Sequence, residues 1–364
     1  MQASEIIKYL EELAPPSLQE SYDNSGLLVG DAQTVVTGIM VSLDCTEDVI
    51  DDALSQGCNL IISHHPIVFG GLKRFNGTNY VERTVIKAIK NDVLLYAIHT
   101  NLDNVSKGVN QKIAEKLGLL NTRILAPKKQ LLKKVVTYCP TNHAENVRNA
   151  MFEAGAGSVG NYDQCSFNTD GTGTFRGNEN TTPFVGNKDK RHSESEVRIE
   201  TIVPDFKVKI VLSEMEKAHP YEEVAFDVYP MENFWKEVGS GMVGDLPEEM
   251  DALEFLKSLK TTMKTDCVRY TLPHKQHVKR IAVCGGSGSF LLGNALGAEA
   301  DVFITGDYKY HQFFDAENRI IIADIGHYES EQFTIDLLAE KLAHKFPTFV
   351  PRLTRVKTNP INYL

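Results

Sequence analysis

Four apolar segments, each running into a cluster of polar and ligand-type residues, constrain this chain more than any other feature. They are CNLIISHHP (58–66), VLLYAIHT (93–100), ADVFITGD (300–307) and RIIIADIG (319–326). Segments this continuously apolar read as strands covered on both faces, the habit of parallel sheets. Helical patterns lie between them: EDVIDDALSQG closed by Gly57, YVERTVIKAIKND and GVNQKIAEKLG in the first region, and YESEQFTIDLLAEKLAHK after the last strand, with Phe333, Leu337, Leu338 and Leu342 on its buried face. Strand–helix–strand order predicts βαβ units with right-handed crossovers. Near the start, Ser4 is the expected cap of a helix striped by Ile6, Ile7, Leu10 and Leu13 and stopped at Pro15-Pro16.

The two regions resemble each other. ALSQGCNLIISHHP matches ALGAEADVFITGDYKYH in kind, which sets His64 opposite Asp307. YAIHTNLD matches ADIGHYESE, and both carry a histidine followed four residues later by an acid: His99 with Asp103, His327 with Glu331. The expectation is an internal duplication in which two α/β halves, 1–128 and 236–364, face each other across a cleft, and it fails if their strand orders differ. Residues 129–235 read instead as βαββαβ, a ferredoxin-like plan, with the stretch GNENTTPFVGNKDKRHSESE as a surface loop or β-excursion. The fold class is therefore α/β, one core domain of two similar halves interrupted by an α+β insert. At 364 residues, two or three domains are expected.

Composition excludes several functions. A net charge of −10 disfavours non-specific nucleic-acid binding, which draws on Lys and Arg, although it leaves room for a local basic channel. No apolar run reaches the ~18 residues of a membrane span. The N-terminus MQASEIIKYLEEL lacks a basic region followed by an apolar stretch, and the six scattered cysteines form no CxxC. A cytoplasmic protein with free thiols is expected.

Sites in parallel α/β sheets form beyond the carboxyl ends of strands. SHHP, HTNLD, TGDYKYH and DIGHYESE all fall there. In His64-His65-Pro66, adjacent side chains point opposite ways, so the pair can serve two metals, or one can bind while the other supports. Alone, such a pair suits a surface loop equally well. Asp103 has two oxygens and can bridge two cations, or it can cap the helix that follows. His327 and Glu331 stand at i,i+4 on one helix face, where ligands meet a single ion and where solvated pairs are also common. Taken together the five point to two divalent cations, with zinc favoured and Mn, Fe or Co as the other fits to mixed N and O ligands. Asp44, Asp23-Asn24, His99, Asp307 and His311 are secondary candidates. His99 is a candidate catalytic proton shuttle beside Asp103, and Gly285–Phe290 (GGSGSF) is either a phosphate cradle or a tight turn.

SYDNSGLLVG, VSLD, IISHHP, HTNLDN, GGSG, FITGDYKYH and IGHYESE, in this order, resemble the Ngg-interacting-factor-three-like proteins, whose bacterial members are also called GTP cyclohydrolase 1 type 2 homologues. The resemblance covers both halves. It implies that His64, His65, Asp103, His327 and Glu331 bind two metals and that the chain forms a toroidal homohexamer. It also implies that the insert, ending in HPYEEVAFDVYP, is PII- or CutA-like. The implied activity is metal-dependent hydrolysis of a small molecule, a nucleotide such as GTP or a phosphoester of one. The alternative is a non-catalytic metal-binding regulator whose insert senses a ligand.

Overall fold

The computed structural model describes residues 1–364 and resolves them into two compact units, Met1–Ala126 with Glu237–Leu364, and Pro127–Lys236. In the first part of the larger unit, α1 (Ala3–Leu13) leads to β1 (Gly26–Val29), β2 (Ile39–Ser42), α2 (Glu47–Ser55), β3 (Leu60–Ser63), α3 (Tyr80–Lys90) and β4 (Leu94–Ala97). Two helices, α4 (Thr100–Asp103) and α5 (Val109–Lys116), then lead to β5 (Leu120–Lys128). The smaller unit holds β6 (Leu132–Pro140), α6 (Ala144–Glu153), β7 (Ser166–Phe175), β8 (His192–Pro204), α7 (Val208–Ala218) and β9 (Phe226–Pro230). The chain returns through β10 (Trp235–Asp251), α8 (Ala252–Thr262), β11 (Arg269–Tyr270), β12 (His277–Ser287), α9 (Leu292–Gly297), β13 (Val302–Gly306) and β14 (Ile321–Asp324). It finishes with α10 (His327–Glu331), α11 (Thr334–Lys345) and β15 (Arg352–Leu353).

The halves share one strand order. In the first sheet the run is β1-β4-β3-β2, with β2, β3 and β4 parallel and β1 antiparallel. In the second it is β11-β14-β13-β12, with β12, β13 and β14 parallel and β11 antiparallel. The equivalences pair β3 with β13 and β4 with β14, as the sequence comparison requires. Each sheet then adds edge strands of its own, β15 beside β2, and β10 and β5 beyond β12.

Alternation along the strands builds the layers. Val41, Ile62 and Tyr96 face inward from the first sheet, and Val283, Ile304 and Ala323 from the second. Between the sheets lie Ile6 and Leu10 of α1, Ile113 of α5, Leu256 and Leu259 of α8, and Leu338 and Leu342 of α11, in one continuous core. The opposite faces pack separately: Met40, Ile61 and Leu95 against α2 and α3, and Ala282, Phe303 and Ile322 against α9. Both faces of each sheet are thus covered, which accounts for the unbroken apolar strands.

Several helix ends differ from expectation. Gln2 caps α1 and its amide hydrogen-bonds Glu5, so Ser4 falls inside the first turn. The long C-terminal helix breaks at Gln332-Phe333 into α10 and α11. Gly108, not Asp103, occupies the cap of α5.

In the smaller unit the sheet order β7-β8-β6-β9 is wholly antiparallel, the ferredoxin-like arrangement of a βαββαβ chain. Its core of Val135, Met151, Ile199, Val211 and Met215 is its own. All six cysteines are free, and no helix is long and apolar enough to cross a membrane.

The central layer makes a stability prediction. Leu256 is 5% exposed and Leu253, on the same helix, is 47% exposed. Leu256→Ala is expected to cost about 2–5 kcal/mol in chemical denaturation of the core, and Leu253→Ala to stay within about 0.5 kcal/mol of the parent.

Candidate metal centre

Every residue of the centre stands just beyond a parallel strand. His64 and His65 follow β3, Asp44 follows β2, and His99 follows β4. The chain turns after His99 into α4, which carries Asp103. After β14, Gly326 takes φ +91°, a left-handed turn that a side chain would strain, and starts α10 at His327. One turn of that helix sets His327 and Glu331 on one face.

These side chains and His99 form three overlapping groups, His64–Asp103–Glu331, His65–His327–Glu331 and His64–His65–His99, with donor atoms within 4.8 Å of one another in each. The carboxylate of Glu331 is divided between the first two. Its Oε1 lies 3.8 Å from His64 Nε2, and its Oε2 lies 2.9 Å from His65 Nε2 and 3.2 Å from His327 Nε2. His64 Nε2 is 3.6 Å from an Asp103 oxygen. Glu331, rather than Asp103, is therefore the acid common to both groups. The reason is depth: Glu331 is buried between the halves, whereas Asp103 approaches from one side.

Two buried atoms in the first group, His64 Nε2 and Asp103 Oδ1, have no hydrogen-bond partner. Leaving such atoms unsatisfied costs about 1–3 kcal/mol each. His64 Nδ1 sits 2.8 Å from the Ile98 carbonyl, which can only accept, so Nδ1 donates and Nε2 keeps its lone pair. Separations near 3.6 Å are too long for hydrogen bonds yet suit two ligands ~2.0–2.2 Å from a shared ion. The donor set thus fits divalent cations in both groups. His65 and His327 are oriented the same way, each Nδ1 on a carboxylate: Asp44 at 2.7 Å and Asp307 at 2.6 Å.

The electrostatics couple the acids and the imidazoles of the site. Burial and then the Glu331 charge push Asp103 up to about 8. Burial opposes ionisation of Glu331, but His327, His64 and His65 outweigh it and hold its carboxyl well below the usual range. Burial likewise works against the imidazoliums, yet Asp44 and Glu331 lift His65 to about 9, and Asp307 and Glu331 lift His327 to about 11. Protons take the positions that cations would neutralise.

The other candidates divide. Asp23 is buried and receives His99 Nδ1 at 2.8 Å and the Thr100 amide at 3.0 Å. These bonds, with burial opposing, hold it below the normal carboxylate range. Asn24 serves the backbone, donating to the Val68 carbonyl at 2.6 Å. His99 packs against the rings of His64 and His65, and its donor atom lies within 4.8 Å of theirs. His311 lies apart, exposed between Tyr310 and Phe314. In the glycine turn, the amides of Gly285, Gly286 and Gly288 already donate to Asn110, Ser330 and Thr305. The turn instead makes room: a Cβ on Gly286 would stand 2.5 Å from Glu331 Oε1. The C-terminal segment carried no signal in the sequence. There, Thr358 donates to Asp44 at 2.6 Å, and Asn359 to Glu329 at 2.9 Å.

A cavity of about 690 Å³ opens onto the centre. Its walls include Tyr22, Phe69, Tyr80 and Phe290, each more than half exposed.

Comparison with known proteins agrees with this architecture. The family description Duf34/NIF3 (NGG1p interacting factor 3) matches residues 1–360. A Halalkalibacterium halodurans protein named GTP cyclohydrolase 1 type 2 homolog is 40% identical over 324 residues, covering 88% of this chain and 87% of its own. A Bacillus subtilis protein of the same name is 37% identical over 367 residues, covering 99% and 98%. The solved structure of a Bacillus cereus protein related to NIF3 superposes with a TM-score of 0.87 at 37% identity, covering 100% of this chain and 99% of that one. The chain belongs to the Duf34/NIF3 family.

Proposed function

We propose that this protein is a hydrolase with a dinuclear metal centre, acting on a small nucleotide-type molecule. One observation carries the reading: the carboxylate of Glu331 is divided between two donor groups, one of which contains two orphaned buried ligand atoms. His64 and Asp103 would hold one cation, His65 and His327 the other, and Glu331 would bridge them. When bound, two divalent ions supply Lewis acidity and neutralise developing negative charge. Zinc heads the candidates, with Mn, Fe or Co also suited to the mixed donors.

The chain's own residues define what surrounds that chemistry. Asp44 and Asp307 fix the imidazole tautomers and so keep Nε2 aimed inward. The Ile98 carbonyl does the same for His64 without adding charge. His99, set by Asp23, faces the same space and can hold or move a proton at Nε2 while Nδ1 stays committed. The hydrolytic and nucleotide parts of the reading draw support from the names of the relatives. The homohexamer, expected from the family resemblance, suits the exposed Phe226, Val228 and Tyr229 of edge strand β9; light scattering would then return six times the 40.6 kDa chain mass.

Metal analysis of the purified protein tests the centre. Because Glu331 belongs to both groups, Glu331→Ala is expected to lose both ions and His64→Ala chiefly one, with circular dichroism unchanged. Full metal content in the Glu331 variant refutes the assignment. Asp44→Ala or Asp307→Ala should weaken metal affinity about 10- to 100-fold, measured by competition with a chelator.

Loading should also release protons at pH 7. His65 at about 9, His327 at about 11 and Asp103 at about 8 all hold protons there in the ion-free state, so affinity rises with pH through that range. Calorimetry in buffers of different ionisation enthalpy counts them. A hydrolysis panel on the loaded protein completes the test: turnover of no substrate above an Asp103→Ala control, with metal bound, favours the regulatory role instead.

A further inference from the structure

The cavity over the centre has a composition that narrows what it can hold. The carboxylates on its walls are Glu20, Asp44, Asp103 and Glu331, and no lysine or arginine lines it. Thr358 and Asn104 donate to Asp44 and Glu20, so both acids keep their place on the wall. Apart from bound cations, sites for polyphosphates are built from guanidinium or ammonium groups, or from backbone amides turned toward the ligand. Here three amides of the glycine turn on the wall already have partners within the protein: Gly285, Gly286 and Gly288 donate to Asn110, Ser330 and Thr305. Two divalent cations would bring four positive charges, and the four wall carboxylates, Glu20, Asp44, Asp103 and Glu331, would match them. That balance leaves no net positive charge to draw in a chain of three phosphates.

The remainder of the wall offers flat surfaces. Tyr22, Phe69, Tyr80 and Phe290 present exposed rings around the opening, and Phe69 meets His99 edge-on at 5.7 Å. Exposed rings beside a polar centre bind planar heterocycles by stacking, which tolerates any base with a π-face.

We propose that this cavity accepts a planar heteroaromatic molecule carrying at most one phosphate (a nucleobase, nucleoside or nucleoside monophosphate) in preference to a nucleoside triphosphate. The proposal rests on the metal-centre reading above and departs from the triphosphate in the names of the relatives. The aromatic rim grips the ring, the metal centre takes one oxygen function, and the acidic wall at Glu20 and Asp44 turns away further phosphates.

Equilibrium binding tests this without requiring turnover. The full chain is loaded with zinc or manganese, freed of excess metal, and titrated with guanosine, GMP, GTP and inorganic tripolyphosphate. Guanosine and GMP are expected to bind at least tenfold more tightly than GTP, and tripolyphosphate is expected not to displace guanosine. Phe290→Ala and Tyr22→Ala should each weaken guanosine by roughly 5- to 100-fold, with metal content unchanged, and Glu20→Gln should narrow the gap between GMP and GTP. Tighter binding of GTP than of guanosine, or displacement of guanosine by tripolyphosphate, overturns the proposal. Loaded protein that binds none of the heterocycles overturns it too, while leaving the metal centre standing. Protein that fails to load metal overturns the hydrolase reading first, and this proposal with it.

Discussion

The contact on which the site's architecture depends is that between the Glu331 carboxylate and the two histidines at the end of β3, 266 residues from His65 in the chain. A buried carboxylate is costly unless charge and hydrogen bonds compensate it. Here three imidazoles from two halves converge on one acid, and the halves meet where they do. Gly285 and Gly286 allow that approach, because a side chain at either would crowd Glu331. Packing in the central layer joins the sheets, and the acid–imidazole cluster lies where their carboxyl edges meet.

The duplication explains why such a site exists. Equivalent strand orders bring equivalent ends to one seam, so β4 and β14 each deliver a histidine with an acid one helical turn later. The copies then diverged in use. His327 joins the donor groups and takes its orientation from Asp307, at the end of β13. The matching His99 is oriented by Asp23, from the segment before β1, and its donor atom groups with His64 and His65 rather than with an acid. One copy's pair, His327 and Glu331, lies in a single donor group; the other's, His99 and Asp103, is split between two.

Much of this was legible in the chain. Doubly covered strands announced the parallel sheets, and ligand-type residues at their ends announced the edge where a site would form. The division of labour between Asp103 and Glu331 was not legible, since a sequence treats the two acids as equivalents and only burial separates them. Short edge strands such as β11 and β15 carry too few residues for any periodicity. The supports of the histidines were partly hidden as well. Asp44 and Asp307 stood out at strand ends, but the Ile98 carbonyl is backbone, and Thr358 arrives from the opposite end of the chain. The glycine turn could be read as a phosphate cradle or a tight turn, because local pattern does not reveal that the amides of Gly285, Gly286 and Gly288 are bonded elsewhere.

The C-terminal segment has a mechanical consequence. It leaves the first sheet at Leu353, paired with Val41 of β2, and six residues later is bonded to Glu329 of α10. A stretched chain covers at most ~3.3–3.6 Å per residue, so this segment is a tether of about 20 Å between the first sheet and α10, the helix that carries His327 and Glu331. Along it, Thr358 holds Asp44, the acid on which His65 is oriented, and Asn359 holds Glu329 of the helix that carries His327 and Glu331. One short piece of chain thus spans both donor-bearing sides of the site without supplying a donor itself.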